Sequence, residues 1–173
     1  MTDYSKWFQH QLQSSADAFT WAISRIPAAL HDQLPVEPGY LGTWPPLRHV
    51  WHVTGYERGL ALPAMQQWLG APLPPGDAWK DNDETWAAVA DKSTPGLIAA
   101  FQQMRQQQID LLQPLAAVDW ETPRATLWGE RSLAWVVTKT FQHTYEHSDT
   151  LLRMSLWWEH ILKEIAKAQA KGN

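Results

Sequence analysis

His143 and His147 stand four residues apart in the stretch FQHTYEHSDT, residues 141–150. At that spacing two side chains share one helical face, with Cβ atoms about 5–6 Å apart, so both imidazoles can reach one point in space. At about 100° per residue they fall in the arc of Leu133, Val136, Thr140 and Met154, the apolar side of their helix. Two adjacent buried imidazoles need partners for their ring nitrogens. A hydrogen-bonded core is one solution. The other is a shared metal ion, for which imidazole is the commonest protein ligand. The spacing alone is a weak motif, and burial on one stripe is what strengthens it.

The chain holds 7 histidines and no cysteine. Disulfides, thiolate zinc clusters and a thiol nucleophile are therefore excluded, and a metal must rely on imidazole, carboxylate or water. A third imidazole is available upstream, where LRHVWHVTGYER carries His49 and His52 three residues apart. Periodicity leaves both open, because this helix is apolar nearly all the way round. His10, His31 and His160 lie in exposed or irregular settings and read as surface residues.

The elements that must position these side chains are helical. Four stretches have helical period and none alternates with the period of a strand. The spacing predicts helices over 5–26, 45–69, 96–116 and 132–155. The first has a stripe of Phe8, Leu12, Phe19, Ile23 and Ile26, with AALHDQL after it as a short helical turn. Pro45 and Pro46 suit the first turn of the second helix, with Thr43 as its cap, and Pro63 should kink it. Residues 70–96, rich in Pro, Gly and Asp, form a long crossover with a short helix near 84–91. The third helix buries Leu97, Phe101, Met104, Leu111, Leu112 and Leu115 and turns QQMRQQQ to solvent. Ser132 caps the fourth, which buries Leu133, Val136, Val137, Thr140, Thr144, Leu151 and Met154. The expected fold is all-α, a single-domain antiparallel four-helix bundle with a core over about 5–156 and a helical tail over 157–173.

Residues Trp44-PPLRHVW-His52-VTGYE in the second helix and His143-TYE-His147 in the fourth resemble the DinB/YfiT superfamily. So does the run from Trp128 through WVVTKTFQHTYEHSDTLLRM. The resemblance covers nearly the whole chain in helix order and is sharp at these two motifs. It implies a bacterial bundle in which His52, His143 and His147 bind a divalent metal, zinc or nickel. That selects His52 over His49. It also implies a homodimer, and thiol-dependent transferases or related enzymes, with mycothiol or bacillithiol as cosubstrate among its members. A metal-bound thiolate stays deprotonated near neutral pH and is a ready nucleophile.

No catalytic base is evident. Glu57 lies about 140° around the helix from His52 and should play a structural or supporting part. Tyr56 is about 40° away and is a candidate for the pocket wall. Trp44, Trp51 and Trp128 are the other candidates, with segments 28–44 and 117–131 as the walls. HTYEH also matches the inverted zinc-peptidase motif with Glu146 as base. That class needs a downstream glutamate ligand, and Glu159 and Glu164 continue the same helix, where they cannot fold back. The remaining alternative is a non-catalytic binding or interaction bundle.

A net charge of −4 and a pI near 5.9 give no footprint for nucleic acid and no polybasic patch for a membrane. The expected partner is a small molecule. The start MTDYSKWFQHQLQ lacks a signal-peptide pattern and no run of about 18 apolar residues exists, so a cytoplasmic location is expected. Twelve tryptophans are the compositional outlier, suited to a bulky core or subunit contact. Trp157, Ile161 and Ile165 leave an apolar stripe on the tail that needs cover, a second pointer to a homodimer.

Overall fold

The structure, a computed structural model, describes residues 4–73, 75, 79–89 and 92–171. The chain forms α1 (Ser5–Ser24), a 3-10 turn (Ala28–Leu30), α2 (Pro38–Leu41) and α3 (Pro46–Tyr56). A π-helical turn (Glu57–Ala61), α4 (Leu62–Gln66) and a 3-10 turn (Gln67–Leu69) continue α3. Then come α5 (Asp83–Ala87), α6 (Thr94–Leu111), a 3-10 turn (Pro114–Ala117), strands β1 (Arg124–Thr126) and β2 (Gly129–Arg131), and α7 (Leu133–Lys171). Helix α1 packs on α6 and α7, and α3 packs on the same two, which makes an all-α four-helix bundle. No helix among the described residues is long and apolar enough to cross a membrane.

The apolar stripes read from sequence on α1, α6 and α7 face inward, with Phe8, Leu12, Phe19, Ile23, Phe101, Leu112, Val136 and Leu151 all buried. They divide into two clusters. One gathers Phe19, Ile23, Val50, Val53, Phe101, Leu151 and Trp158. The other gathers Phe8, Leu12, Met65, Leu112, Trp120, Leu133 and Val137. On every long helix the residues between the clusters are buried yet polar: Ser15 on α1, Glu57 after α3, Arg105 and Gln108 on α6, Thr140, Thr144 and Ser148 on α7. A polar layer thus crosses the waist of the bundle.

Arg105 is the hub of that layer. It donates through Nη2 to Glu57 Oε1 and Thr144 Oγ1, and through Nη1 to Leu12 O at 2.8 Å and Ser15 Oγ at 2.7 Å. One guanidinium therefore ties all four long helices. The solvated surface expected for QQMRQQQ is corrected at Arg105 and Gln108, which are 2% and 0% exposed. Both fall on the period of Leu97, Phe101 and Met104, so the stripe already contained them. Burial pushes the Glu57 carboxyl up, while Arg105 and Thr144 pull it back down.

Other expectations need correction. The predicted kink at Pro63 takes the form of a π turn: the chain widens before the proline, and Leu62 N–H reaches Glu57 O, five residues back. Thr43 caps nothing. Pro45 is the N-cap without a side-chain bond, and the His31 carbonyl accepts from Leu47 N–H instead. His31 is not a surface residue: its Nε2–H donates to the Ile26 carbonyl, leaving Nδ1 to accept from Thr94 Oγ1 at 2.7 Å. His10 and His160 are exposed as expected.

The fourth helix does not end at 155 but runs unbroken to Lys171. The tail is its continuation, with nothing helix-breaking before Gly172 to stop it. On it Trp158 is buried and Ile161 packs against the core, whereas Trp157 and Ile165 stay exposed. The short helix expected near 84–91 is α5, held by Asn82 Oδ1 accepting from Thr85 N–H. Residues 74, 76–78, 90 and 91 of the crossover, and 172–173 of the tail, lie outside the described residues. The β1–β2 hairpin was not foreseen, since three-residue strands are too short to show alternation.

Candidate metal centre

Helices α3 and α7 bring three imidazoles to one point. Proline at its first position starts α3, and Ser132 Oγ, accepting from Trp135 N–H at 3.2 Å, starts α7 as the sequence suggested. From α3 comes His52; from α7 come His143 and His147, one turn apart. His52 Nε2 lies 3.1 Å from His143 Nε2, and His147 Nε2 lies 3.3 Å from the same atom. One ligand atom from each of the three falls within 4.8 Å of the others.

Those separations fit a metal ion. Nitrogens bound at about 2.0–2.1 Å with tetrahedral angles stand roughly 3.3–3.4 Å apart. The three imidazoles could thus hold one divalent ion with little movement, and no protein charge would be spent on it.

Residues around the triad hold two of the three rings. The Asp81 carboxylate, from the crossover, sits with Oδ2 at 2.5 Å from His52 Nδ1. A carboxylate there places the proton on Nδ1 and leaves the Nε2 lone pair facing the other histidines. Asp81 is in turn held by Arg48 Nη2 at 3.4 Å, while Arg48 Nη1 donates to Asp83. His49 Nδ1 is 2.8 Å from His147 Nδ1. With the proton on His147 Nδ1, His49 accepts and the His147 Nε2 lone pair is free for an ion. His49 Nε2 and His143 Nδ1 are buried with no hydrogen-bond partner among the described residues.

The environment keeps these groups neutral. Burial, then the neighbouring His147 and His52, pushes His143 down to about 2. Burial and then His52 push His147 down to about 4. His52 is lowered by burial against the opposing pull of Asp81, and His49 is held well below the usual range by burial and then by His147 and His52. Neutral imidazole is the form that binds metal, so no proton has to be displaced near pH 7.

The structure sorts the other residues singled out from sequence. Trp44 stands at the centre: its ring is 4.9 Å from that of His52 and stacks on His147 at 6.2 Å, with the Arg48 guanidinium 4.5 Å above it. Tyr56 packs its ring 4.2 Å from His143, and its hydroxyl is buried without a hydrogen-bond partner among the described residues. Trp128 stands behind Tyr56, with ring centroids 6.2 Å apart. Trp51 packs on Trp79 and Trp86. Of the two predicted walls, 28–44 supplies Trp44 and 117–131 stands one ring further off. Glu57 is in the Arg105 layer and not at the triad. Glu146 is exposed and lies 3.8 Å from Lys139.

Sequence reasoning missed Asp81, Trp79 and the part played by His49. Trp79 sets its ring 5.0 Å from His52 and fills the space a side chain at Gly55 would need: a Cβ there would overlap Trp79 Nε1 and come within 2.8 Å of Cε2. Neither crossover residue gives a signal in the sequence, since acidic and aromatic residues in a Pro- and Gly-rich stretch are ordinary. The missed wall is the crossover itself.

The DinB superfamily model matches residues 11–151, a span that runs from α1 into α7 and includes His52, His143 and His147. Comparison with curated proteins and with solved structures gives no match.

Proposed function

Because this chain belongs to the DinB superfamily, we propose that it binds one divalent metal ion, zinc or nickel, through His52, His143 and His147 and acts on a small molecule as a metal-dependent transferase or hydrolase. A low-molecular-weight thiol is the cosubstrate of the transferase form. The observation that carries this reading is the convergence of three Nε2 atoms at 3.1 and 3.3 Å.

A dipositive ion with positions left open lowers the pKa of a bound water or thiol and polarises a carbonyl. The chain's own residues do the rest. Asp81 orients His52, and His49 orients His147. Trp44, Tyr56 and Trp79 surround the triad with aromatic surface and limit the access of water to it. A cytoplasmic location goes with this reading, because thiols are kept reduced there. So does a homodimer, in which the exposed Leu156, Trp157, Leu162 and Ile165 of α7 find cover.

The second reading is a metal-binding bundle without turnover. It draws on the engagement of two nearby carboxylates, the part-buried Asp81 with His52 and Arg48, and the buried Glu57 with Arg105. Neither is free to serve as a base.

Elemental analysis of protein purified without added metal tests the metal reading, with His143→Ala as control. One ion per chain in the wild type and none in the variant is expected. Turnover by the loaded protein across a panel of small thiols and electrophiles then separates the two readings. Full metal content with no thiol-dependent product would leave the binding bundle.

A further inference from the structure

The crossover builds a second feature beside the histidines. Trp51, Gly55, Arg58 and Gly59, on α3 and the π turn, line a surface cavity of about 490 Å³ together with Trp79 and Lys80. Gly55 and Gly59 are four residues apart and so share one side of the helix, and the missing side chain at Gly55 lets Trp79 pack directly on the backbone there. The π turn forms part of this wall, and such turns occur frequently at functional sites.

Two properties of the lining specify a ligand. The first is aromatic: Trp51 and Trp79 are half-buried, pack on each other with ring centroids 6.5 Å apart, and together border the cavity with apolar ring surface. The second is charge. Arg58 and Lys80 are exposed, and among the described residues neither has a carboxylate partner, whereas Arg48, Arg105 and Arg153 each do. Among the described residues they are the only charged groups lining the cavity, and of the acidic residues that follow Lys80, Asp81 and Asp83 are already held by Arg48.

The geometry points to this cavity as the binding site for a flat, apolar small molecule bearing a carboxylate, its ring system against Trp51 and Trp79 and its anion on Arg58 and Lys80. Trp79 is shared between the cavity and His52, so such a ligand lies one ring away from the triad. The substrate role of the ligand rests on the metal-centre reading; its binding does not.

Calorimetric titration of the zinc-treated full chain with 1-naphthoate, and with the uncharged 1-naphthamide, tests this, with metal content measured on the same samples. Naphthoate is expected to bind saturably and about tenfold more tightly than the amide, equivalent to roughly 1.4 kcal/mol. Arg58→Gln and Lys80→Gln should each weaken naphthoate severalfold while leaving the metal content unchanged. His147→Ala should lose metal and keep naphthoate binding. Equal affinity for acid and amide, or wild-type affinity in both glutamine variants, overturns the proposal. So does naphthoate binding that disappears with the metal in His147→Ala, because the carboxylate would then sit on the ion. A wild type that takes up no zinc but shows the charge-dependent binding would remove the metal reading and leave the cavity standing.

Discussion

His52 Nδ1 and Asp81 Oδ2 lie 2.5 Å apart, joining the second long helix to the crossover across 29 residues of sequence. The bond does two things at once. It fixes the tautomer that leaves His52 Nε2 free toward His143, and it anchors the crossover over the triad, with Arg48 as a second tether on Asp81.

Asp81→Asn keeps the size of the side chain and removes the charge. Partners of a ligating histidine are typically worth 10–100-fold in metal affinity. The variant should therefore bind zinc about 10–100-fold more weakly in competition with a chromogenic chelator, with the helix signal unchanged. An affinity equal to wild type would show that His52 is oriented without its carboxylate.

His147→Ala should abolish metal binding and leave the bundle folded. The two apolar clusters lie outside the triad, and an open site contributes less to folding than a closed structural one. Elemental analysis and far-UV circular dichroism on the same sample read the two effects. Loss of helix together with the metal would make the ion structural and the transferase reading wrong.

Arg105→Met removes the hub of the polar layer and leaves Glu57 buried without its cation. Breaking a buried pair on one side costs about 3–5 kcal/mol. Urea unfolding should show that loss in the midpoint. A change below about 1 kcal/mol would mean that the layer relaxes or admits water.

Acidification should destabilise the metal-free protein. His143, His147, His52 and His49 all have folded pKa values below the unfolded value near 6.5. As pH falls below 6.5 the unfolded chain takes up protons at these positions and the fold does not. Their contribution is intact above 6.5 and declines at up to about 1.4 kcal/mol per pH unit for each such proton. For His147 the decline continues to about pH 4, and for His143 to about pH 2. Glu57, pushed up by burial, acts with the opposite sign and makes the net fall smaller. Urea midpoints of chelator-treated protein between pH 7.5 and 4.5 check this, and a flat profile would contradict it.

What could be read from the sequence was whatever repeats along one helix. The stripes Phe8–Leu12–Phe19–Ile23 and Leu133–Val136–Val137–Thr140 are buried as their period requires, and His143 and His147 share a face for the same reason. Period fixes which side of a helix turns inward, and that is enough for an all-α bundle with two imidazoles inside it. The motif around Trp44 and His52 supplied the third, which periodicity alone left open between His49 and His52. Only the tertiary structure decided the rest. Asp81 and Trp79 reach His52 because the crossover passes over α3, and no local pattern encodes that path. His31 is buried because Ile26 and Thr94, from different segments, meet its two ring nitrogens. Arg105 lay on the apolar period of its own helix, but a lone cation there is acceptable only where Glu57, Thr144, Ser15 and Leu12 converge on it. Burying a charged group is costly without partners, and here Arg105 draws them from the three other long helices.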